Sequence, residues 1–289
     1  MNQPLRIIEI SIPHASALGT LKEAEHLPQQ LSKAGFNTVF ILPWMQIDRS
    51  LSASPYAITN HLKVDVSIGS LHDARSWIEN CHKHGLEVVL DMPLNHTSPN
   101  HFWTNNLDWY VRDATGNVQP PRGTAWLDVA QLNHECSNLI LACQEVLQFW
   151  VEMGVDGFRL DAASFIPNEV VKHWVEHTRV EANTHIQFWC DAQAKDGTGS
   201  YFDAYLDHEA WRLASTNFEE WKVSVASEES TGILFLTNHD TLHAGKSPLQ
   251  QWQHRYNEMR ALLESTPRHT MLSWSDWFNP DSCFSFMHR

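Results

Sequence analysis

The sequence predicts an α/β chain folded as a (β/α)8 barrel of the TIM type, and three observations lead to that prediction. Short β-rich apolar runs alternate with longer amphipathic stretches, several of which end at a glycine. Four of the runs close on polar side chains, in VVLDMPLNH, VDGFRLD, IQFWCD and ILFLTNHD. The first run, RIIEISI, is followed by SIPHASALGT, which lacks the glycine-rich loop of a doubly wound sheet. Polar residues at successive strand ends are typical of the C-terminal rim of a barrel.

The strands and helices can be assigned in chain order. Eight strands are predicted at 6–12, 37–42, 87–91, 155–160, 186–190, 202–205, 233–237 and 271–273. Helices are predicted at about 21–34, 71–84, 138–153 and 249–264, the first three ending at Gly35, Gly85 and Gly154. Helical crossovers between strands favour a parallel sheet closed into a barrel.

Residues 97–135 interrupt this alternation. They contain Pro99, Pro120, Pro121, Gly116 and Gly123 and few periodic apolar positions. Such a stretch predicts a long excursion after strand three. We expect one barrel domain over 1–289 with this short insertion.

Composition narrows the classes of partner. The 289 residues are 43% apolar, as expected for a globular core, and carry a net charge of −14 without a basic run. This charge disfavours nucleic acid, anionic membranes and phosphorylated substrates, and favours a neutral substrate. Thirteen Trp residues supply core packing, and some of their faces are expected to line a cleft.

The cysteines and the N-terminus bear on location. The segment MNQPLRIIEISIP lacks a charged region followed by an apolar one, and no apolar stretch reaches the length of a membrane span. The cysteines are odd in number and lack zinc-ligand spacing, which predicts free thiols at Cys81, Cys136, Cys143, Cys190 and Cys283. Together these features predict a cytoplasmic protein.

The segment GFRLD is a candidate for carboxylate chemistry. Retaining glycoside cleavage needs two carboxyl groups roughly 5–5.5 Å apart, one as nucleophile and one as acid/base. Asp161 ends a predicted strand, and Arg159 stands on the same side of it, where its charge favours an ionised carboxylate. A purely structural Arg–Asp pair at the rim is the alternative.

These motifs resemble those of glycoside hydrolase family 13, the α-amylase family. The resemblance runs from RIIEISI to about Phe278. SPYAITNHLKVD resembles the family's segment after strand two, and DMPLNH, GFRLD and FLTNHD resemble its first, second and fourth conserved regions. The stretch from WLDVAQLNHE to FWVEMGVDGFRLDAASFIP is similar to bacterial members with a short excursion domain.

The resemblance implies a role for each motif residue. Asp161 would be the nucleophile that forms a covalent glycosyl intermediate, and Asp240 would bind hydroxyls of the distorted sugar. The remaining implied site residues bind or surround the same sugar: Tyr56 as a platform beneath it, Asp91, His96, Arg159 and His239, with Asn95 bracing the rim.

The third conserved region departs from the family. Where the family has a glutamate as general acid, IQFWCDAQA has Asp191, which is shorter by one methylene. Asp191 could be a working acid in a reshaped site, or Asp207 or Glu209 could supply the proton. The third alternative is a catalytically silent barrel that binds carbohydrate or another protein. We expect an active retaining α-glycosidase or transglycosylase for oligosaccharides.

Further departures concern the acceptor side and the end of the chain. Many α-amylases have Lys-His three and four residues after the nucleophile, where this sequence has Ser164-Phe165. The family continues after strand eight with a helix and a β-sandwich domain. The 16 residues that follow here are too short for both, so we expect an incomplete final helix and no C-terminal β-sandwich. A homo-oligomer covering the exposed flank is a hypothesis.

No organic cofactor or metal is expected. In many relatives the residue matching Asn95 helps to bind calcium, which makes Asn95 a weak calcium candidate. The possible additional ligands Asp108, Asp113 and Asp128 are scattered along the excursion.

Overall fold

The computed structural model describes residues 3–191, 201–227, 231–242 and 252–274. Eight parallel strands close into a barrel, so the predicted fold class is confirmed. The barrel strands are β1 (Arg6–Ile10), β2 (Thr38–Ile41), β5 (Glu87–Pro93), β8 (Gly157–Asp161), β9 (Gln187–Cys190), β10 (Ala204–Leu206), β11 (Gly232–Phe235) and β12 (Thr270–Ser273). They neighbour one another in chain order, and β12 pairs with β1. Each predicted strand boundary lies within about two residues of the observed one.

The helices flank this barrel. They are α1 (Leu27–Lys33), α2 (Leu71–Lys83), α3 (Ser137–Met153), α4 (Asn168–Ala182), α5 (His208–Thr216), α6 (Phe218–Ala226), α7 (His239–Leu242) and α8 (Tyr256–Ser265). Four of them, α1, α2, α3 and α8, correspond to predicted helices, whereas α4 to α7 were not predicted. In the described ranges, no helix is both long enough and apolar enough to cross a membrane.

Alternation along the strands separates two apolar layers. In β1, Ile7 belongs to a cluster inside the barrel, whereas Ile8 and Ile10 belong to the larger cluster between barrel and helices. Phe40, Val89 and other large side chains fill the interior with Ile7, so the barrel is a packed core rather than a pore. A functional site must therefore lie on a rim.

Two short antiparallel sheets lie outside the barrel. The pair β3 (Met45–Ile47) and β4 (Ile58–Val64) follows β2 and was not predicted. The pair β6 (His96–Thr97) and β7 (Ala130–Gln131) closes the predicted excursion after β5. Both connect segments at the C-terminal ends of barrel strands, so they shape that rim.

A buried pair of histidines anchors the excursion to the barrel. His61 Nε2 donates to the carbonyl of Pro93 at 3.1 Å, and Trp103 N–H donates to His101 Nδ1 at 3.0 Å. These partners fix the tautomers, so His101 Nε2 donates to His61 Nδ1 at 3.2 Å. Burial lowers the pKa of His61 to about 4 and that of His101 to about 2. Both rings are neutral at physiological pH.

The flank between β1 and β12 holds a cleft of about 370 Å³, lined by residues that include Arg6, Phe36, Leu263 and Leu272. The predicted incomplete final helix falls on residues 275–289, which lie outside the described residues. The homo-oligomer stays a prediction.

Candidate active site

Strand register brings Asp161 and Asp191 side by side. Leu160 of β8 pairs with Cys190 of β9, and each aspartate is the next residue along its chain. Arg159 pairs with Trp189, which fills the barrel interior, so residues two positions further on face the same side. Both aspartates therefore lie above the interior core at the C-terminal rim.

Arg159 joins two carboxylates beneath that rim. Its Nη1 lies 2.8 Å from Asp91 Oδ1 and 2.6 Å from Asp161 Oδ1. Tyr56 donates its hydroxyl to Asp91 Oδ2 at 2.8 Å. Burial raises the pKa of Asp91 to about 6, against the opposing effect of Arg159. The guanidinium places one positive charge between two negative ones, and the network holds Asp161 in a fixed position.

The backbone turns sharply directly after Asp161. Ala162 has a left-handed conformation, with φ 50° and ψ 35°, and is 2% exposed. The short helix Ala163–Phe165 follows at once. This turn leaves the Asp161 side chain at the tip of its strand, where it remains partly exposed.

Neighbouring amides fix the tautomer of His96. Gln131 Nε2 donates to the Leu132 carbonyl and to Asn95 Oδ1, at 3.1 and 2.8 Å. Asn95 therefore turns its Nδ2 to His96 Nδ1, 3.2 Å away. Burial lowers the pKa of His96, so the neutral ring carries its proton on Nε2. That nitrogen lies 3.8 Å from Asp161 Oδ2 and is a donor facing the site.

His239 differs from His96 because a carboxylate contacts its ring. Its Nδ1 lies 2.6 Å from Oε1 of Glu9, a buried residue of β1. Burial alone would lower the pKa of His239, but the Glu9 carboxylate raises it to about 9. Its Nε2 lies 3.5 Å from Oδ1 of Asp240. The ring of Tyr56 lies 5.8 Å from that of His239, centroid to centroid. The sequence motifs did not reveal Glu9.

Asp240 completes the group of aspartates. It lies on α7, which is separated from the end of β11 by three residues, and its side chain is 54% exposed. It acts electrostatically on Tyr56 and on Asp191, as Asp161 also does. The structure thus brings the predicted aspartates and Tyr56 together at one rim.

Asp191 has the electrostatic environment of a proton donor. Burial, together with the negative charges of Asp161 and Asp240, raises its pKa, whereas Arg159 acts in the opposite direction. A raised pKa keeps a carboxyl group protonated at higher pH. His208, at the start of α5, hydrogen-bonds the Asp191 backbone carbonyl and was not predicted.

The two alternative proton donors have other partners. Asp207 Oδ2 lies 2.8 Å from Arg268 Nη2, and its Oδ1 accepts the Ala210 N–H at the start of α5. Glu209 is exposed and pairs with Arg212 on the same helix. Asp191 is therefore the better candidate for the acid.

Exposed aromatic rings border the site beside His96. The Trp126 ring lies 5.6 Å from that of His96 and 6.0 Å from that of Phe165. Trp126 and Phe165 are 41% and 44% exposed. Ser164 and Phe165, where the sequence resemblance implies Lys-His, are both exposed, so this side of the site is aromatic rather than cationic.

The calcium candidate Asn95 is fully buried and uses its amide within the protein. Its Oδ1 accepts from Gln131, and Asp128, another candidate ligand, accepts from Ser52 Oγ at 2.6 Å. Across the described part of the chain, no group of three or more His, Cys, Asp or Glu side chains could hold a metal ion. Calcium binding by Asn95 stays a prediction.

Comparison with known proteins shows the family to which this chain belongs. The family model described as the α-amylase catalytic domain matches residues 15–278. An α-glucosidase of Candida albicans is 25% identical over 278 residues, covering 78% of this chain and 46% of that protein. A probable α-glucosidase of Rhizobium meliloti (strain 1021) is 33% identical over 142 residues, covering 38% of this chain and 26% of that protein. The chain thus spans less than half the length of these two curated relatives.

Solved structures agree on the fold. An α-amylase from Lactobacillus plantarum superposes with a TM-score of 0.82 at 19% identity, over 94% of this chain and 71% of that one. An α-amylase from Geobacillus thermoleovorans, complexed with acarbose, gives 0.76 at 16% identity, over 96% and 73%. Since the family model spans most of the sequence, the chain belongs to the α-amylase family, glycoside hydrolase family 13.

Proposed function

We propose that this chain cleaves or transfers α-glucosidic bonds of oligosaccharides with retention of configuration. Asp161 is the nucleophile, Asp191 the acid/base and Asp240 the residue that binds hydroxyls of the distorted sugar. Tyr56, Asp91, His96, Arg159 and His239 bind the sugar or hold these groups in place. The curated relatives named as α-glucosidases support this class of reaction.

The reaction proceeds in two displacements. The Asp161 carboxylate attacks the anomeric carbon while the glycosidic C–O bond breaks, and the leaving oxygen takes the proton of Asp191. Asp191, now a carboxylate, then takes a proton from water or from a sugar hydroxyl. The oxygen so activated attacks the anomeric carbon and releases Asp161. Water gives hydrolysis, and a sugar gives transfer.

The register of β8 and β9 is the observation that carries this proposal. Neighbouring strands lie about 4.8 Å apart, so adjacent Asp161 and Asp191 suit the roughly 5–5.5 Å separation of retaining enzymes. Inverting enzymes need roughly 6.5–9.5 Å to admit a water molecule. The raised pKa of Asp191 beside the Arg159-paired Asp161 supports the assignment of acid and nucleophile.

The surroundings of the site support a neutral saccharide substrate. Tyr56 has its hydroxyl bound to Asp91 while its ring is partly exposed, as a sugar platform requires. Trp126 and Phe165 offer apolar faces to the leaving group or acceptor. We propose that the reaction takes place in a reducing compartment such as the cytoplasm, because Cys81, Cys136 and Cys143 are free thiols.

One observation favours a second candidate, a silent barrel that binds carbohydrate. Asp191 is one methylene shorter than glutamate, and a misplacement of about 1 Å can cost roughly a hundredfold in rate. The close group of three aspartates weighs against this candidate, since like charges at one rim are unfavourable unless they serve a function.

Kinetics on two kinds of leaving group test the proposal. A dinitrophenyl α-glucoside needs little protonation, whereas maltose needs a proton donor. We expect Asp161→Asn to lose both activities by about 10⁴-fold or more. Asp191→Asn should lose maltose cleavage but keep much of the reaction on the aryl substrate, and azide should restore turnover by forming an α-glucosyl azide.

Matched variants complete this experiment. Glu209→Gln should leave both activities unchanged, because that exposed carboxylate pairs with Arg212. Asp191→Glu tests whether the shorter side chain limits the rate. No turnover by the wild type on either substrate, with maltooligosaccharide binding intact by calorimetry, would establish the silent barrel instead.

A further inference from the structure

Glu9 is a carboxylate inside the barrel. It follows Ile7 by two residues on β1 and therefore faces the interior, where Ile7 and Phe40 belong to the apolar core. Glu9 is 4% exposed. An unpaired carboxylate in such a position is strongly unfavourable, so its presence requires a partner.

That partner is His239. Glu9 Oε1 lies 2.6 Å from His239 Nδ1, the length of a charge-assisted hydrogen bond. His239 is itself 5% exposed, so the two groups meet in a space closed to water. Because an ionised carboxylate can only accept, His239 Nδ1 carries a proton.

The second ring nitrogen of His239, Nε2, faces the site, and its protonation depends on the charge of the ring. His239 Nε2 lies 3.5 Å from Asp240 Oδ1. In a neutral ring with its proton on Nδ1, the Nε2 lone pair would face this carboxylate, which is repulsive. In an imidazolium the ring is positively charged, so the contact with the Asp240 carboxylate is attractive.

We propose that Glu9 is a positioning residue that holds His239 as an imidazolium, so that its positive charge orients Asp240 and its Nε2–H donates to a substrate hydroxyl above Tyr56. The part that concerns the substrate rests on the proposed function. The part that concerns the charge of His239 is a property of the protein alone and can be tested separately.

The groups around His239 agree with this charge state. Glu9 faces it from β1 and Asp240 from α7, and the rings of Tyr56 and Phe40 pack against it at 5.8 and 6.4 Å. Burial favours the neutral form, but the Glu9 carboxylate outweighs burial and raises the pKa to about 9. Three further charged or titratable groups act on it electrostatically: Arg159, Asp91 and His208.

Nitrogen NMR on the full chain is the direct test. In ¹⁵N-histidine spectra at pH 7.5, with the signal assigned by its loss in His239→Gln, we expect both His239 nitrogens of the wild type to be protonated. In Glu9→Gln the midpoint of this titration should fall by about two pH units. A neutral His239 in the wild type at pH 7.5 overturns the proposal, and this result does not depend on Glu9→Gln folding.

A pH profile separates positioning from a merely structural pair. With a dinitrophenyl α-glucoside, which does not depend on the acid, kcat/KM of the wild type should hold to about pH 9. For Glu9→Gln it should decline from about pH 7, through kcat more than through KM. Recovery of the variant at pH 6, where His239 regains its proton, is the signature that a structural role would not give.

Glu87→Gln is the matched control. It makes the same change of carboxylate to amide at the first residue of β5, at the opposite end of the barrel, and should keep the wild-type profile and His239 titration. Identical profiles and titrations for wild type and Glu9→Gln overturn the inference. A Glu9-dependent imidazolium in a protein without turnover supports the inference and overturns the proposed function.

Discussion

Two buried histidine sites in this protein have opposite charge states. His239 pairs with the carboxylate of Glu9, which raises its pKa to about 9, whereas His61 and His101 pair with each other and have pKa values lowered to about 4 and about 2. All three are buried. Burial alone therefore does not set the charge of a histidine, and the partner on its second nitrogen decides it.

The difference follows position in the fold. The neutral pair anchors the excursion to Pro93 through a chain of neutral hydrogen bonds. The charged pair lies under the rim where Asp240 is partly exposed. A neutral pair avoids the desolvation cost of buried charges, which suits a packed interface. An ion pair carries that cost, which is offset at the rim because the positive charge there acts on the site.

Acid should produce the largest effect, through the neutral pair. Because the pKa values of His61 and His101 in the folded state lie below 6.5, the unfolded chain binds more protons than the folded chain as the pH falls below 6.5. The stability they contribute is present above pH 6.5 and is lost as pH falls toward 4 and below. We expect the free energy of unfolding to fall on the order of 5 kcal/mol between pH 6.5 and 4. Urea unfolding followed by tryptophan fluorescence measures this.

The double variant His61→Phe/His101→Phe is the matched comparison. It loses hydrogen bonds at pH 7 but should show a shallower acid dependence. An equally steep loss in both proteins would mean that other groups cause acid unfolding.

Removal of one partner of the charged pair should have the next largest effect. His239→Gln leaves Glu9 buried without a cation, which typically costs about 3–5 kcal/mol. Adding Glu9→Gln removes the stranded charge and should restore a large part of that loss. A double-mutant cycle from urea unfolding at pH 7 gives the coupling, and simple additivity of the two changes would contradict a buried ion pair.

Alkaline pH should reduce the stability that the His239–Glu9 pair contributes, and should leave the His61–His101 pair unchanged. The folded pKa of His239 is raised above its unfolded value of about 6.5, so its stabilisation is fully present below pH 6.5 and is lost as pH rises through about 9. The loss should approach about 3 kcal/mol. Unfolding curves from pH 6.5 to 9.5 should slope in the wild type and in Glu87→Gln, and should be flatter in Glu9→Gln.

The smallest effect is expected at His96, another buried histidine, whose tautomer is fixed by an amide. Asn95→Leu removes the donor to Nδ1, so the proton can move there from Nε2. We expect kcat/KM on an aryl α-glucoside to fall about tenfold. Unchanged kinetics together with an unchanged ¹⁵N tautomer ratio would show that Asn95 does not control the ring.

The barrel and most of its rim could be predicted from the sequence because their signals are contiguous. Asp161 and Asp240 stand in motifs at the ends of apolar runs, and barrel closure brings such ends together. Glu9 was missed because a single charge in RIIEISI carries no motif. Its only signal was that it shares the inward face with Ile7.

Other misses have local causes. The helix α4 contains Val170, Val171, Val175 and Val180, and β-branched residues favour strands when packing is ignored. Valines 170, 171 and 175 are buried in the helix-facing core, so tertiary packing overrides the propensity. His208 lies between Asp207 and Glu209 and belongs to no motif, so the sequence carries no signal for the imidazole that contacts Asp191.

The left-handed turn at Ala162 limits how the region around Asp161, the proposed nucleophile, can vary. Its positive φ disfavours branched or bulky residues, and its burial leaves little room for them. Engineering of substrate preference should therefore leave position 162 unchanged. Ser164 and Phe165 are exposed a few residues further on and can accept new side chains without disturbing the strand end that carries Asp161.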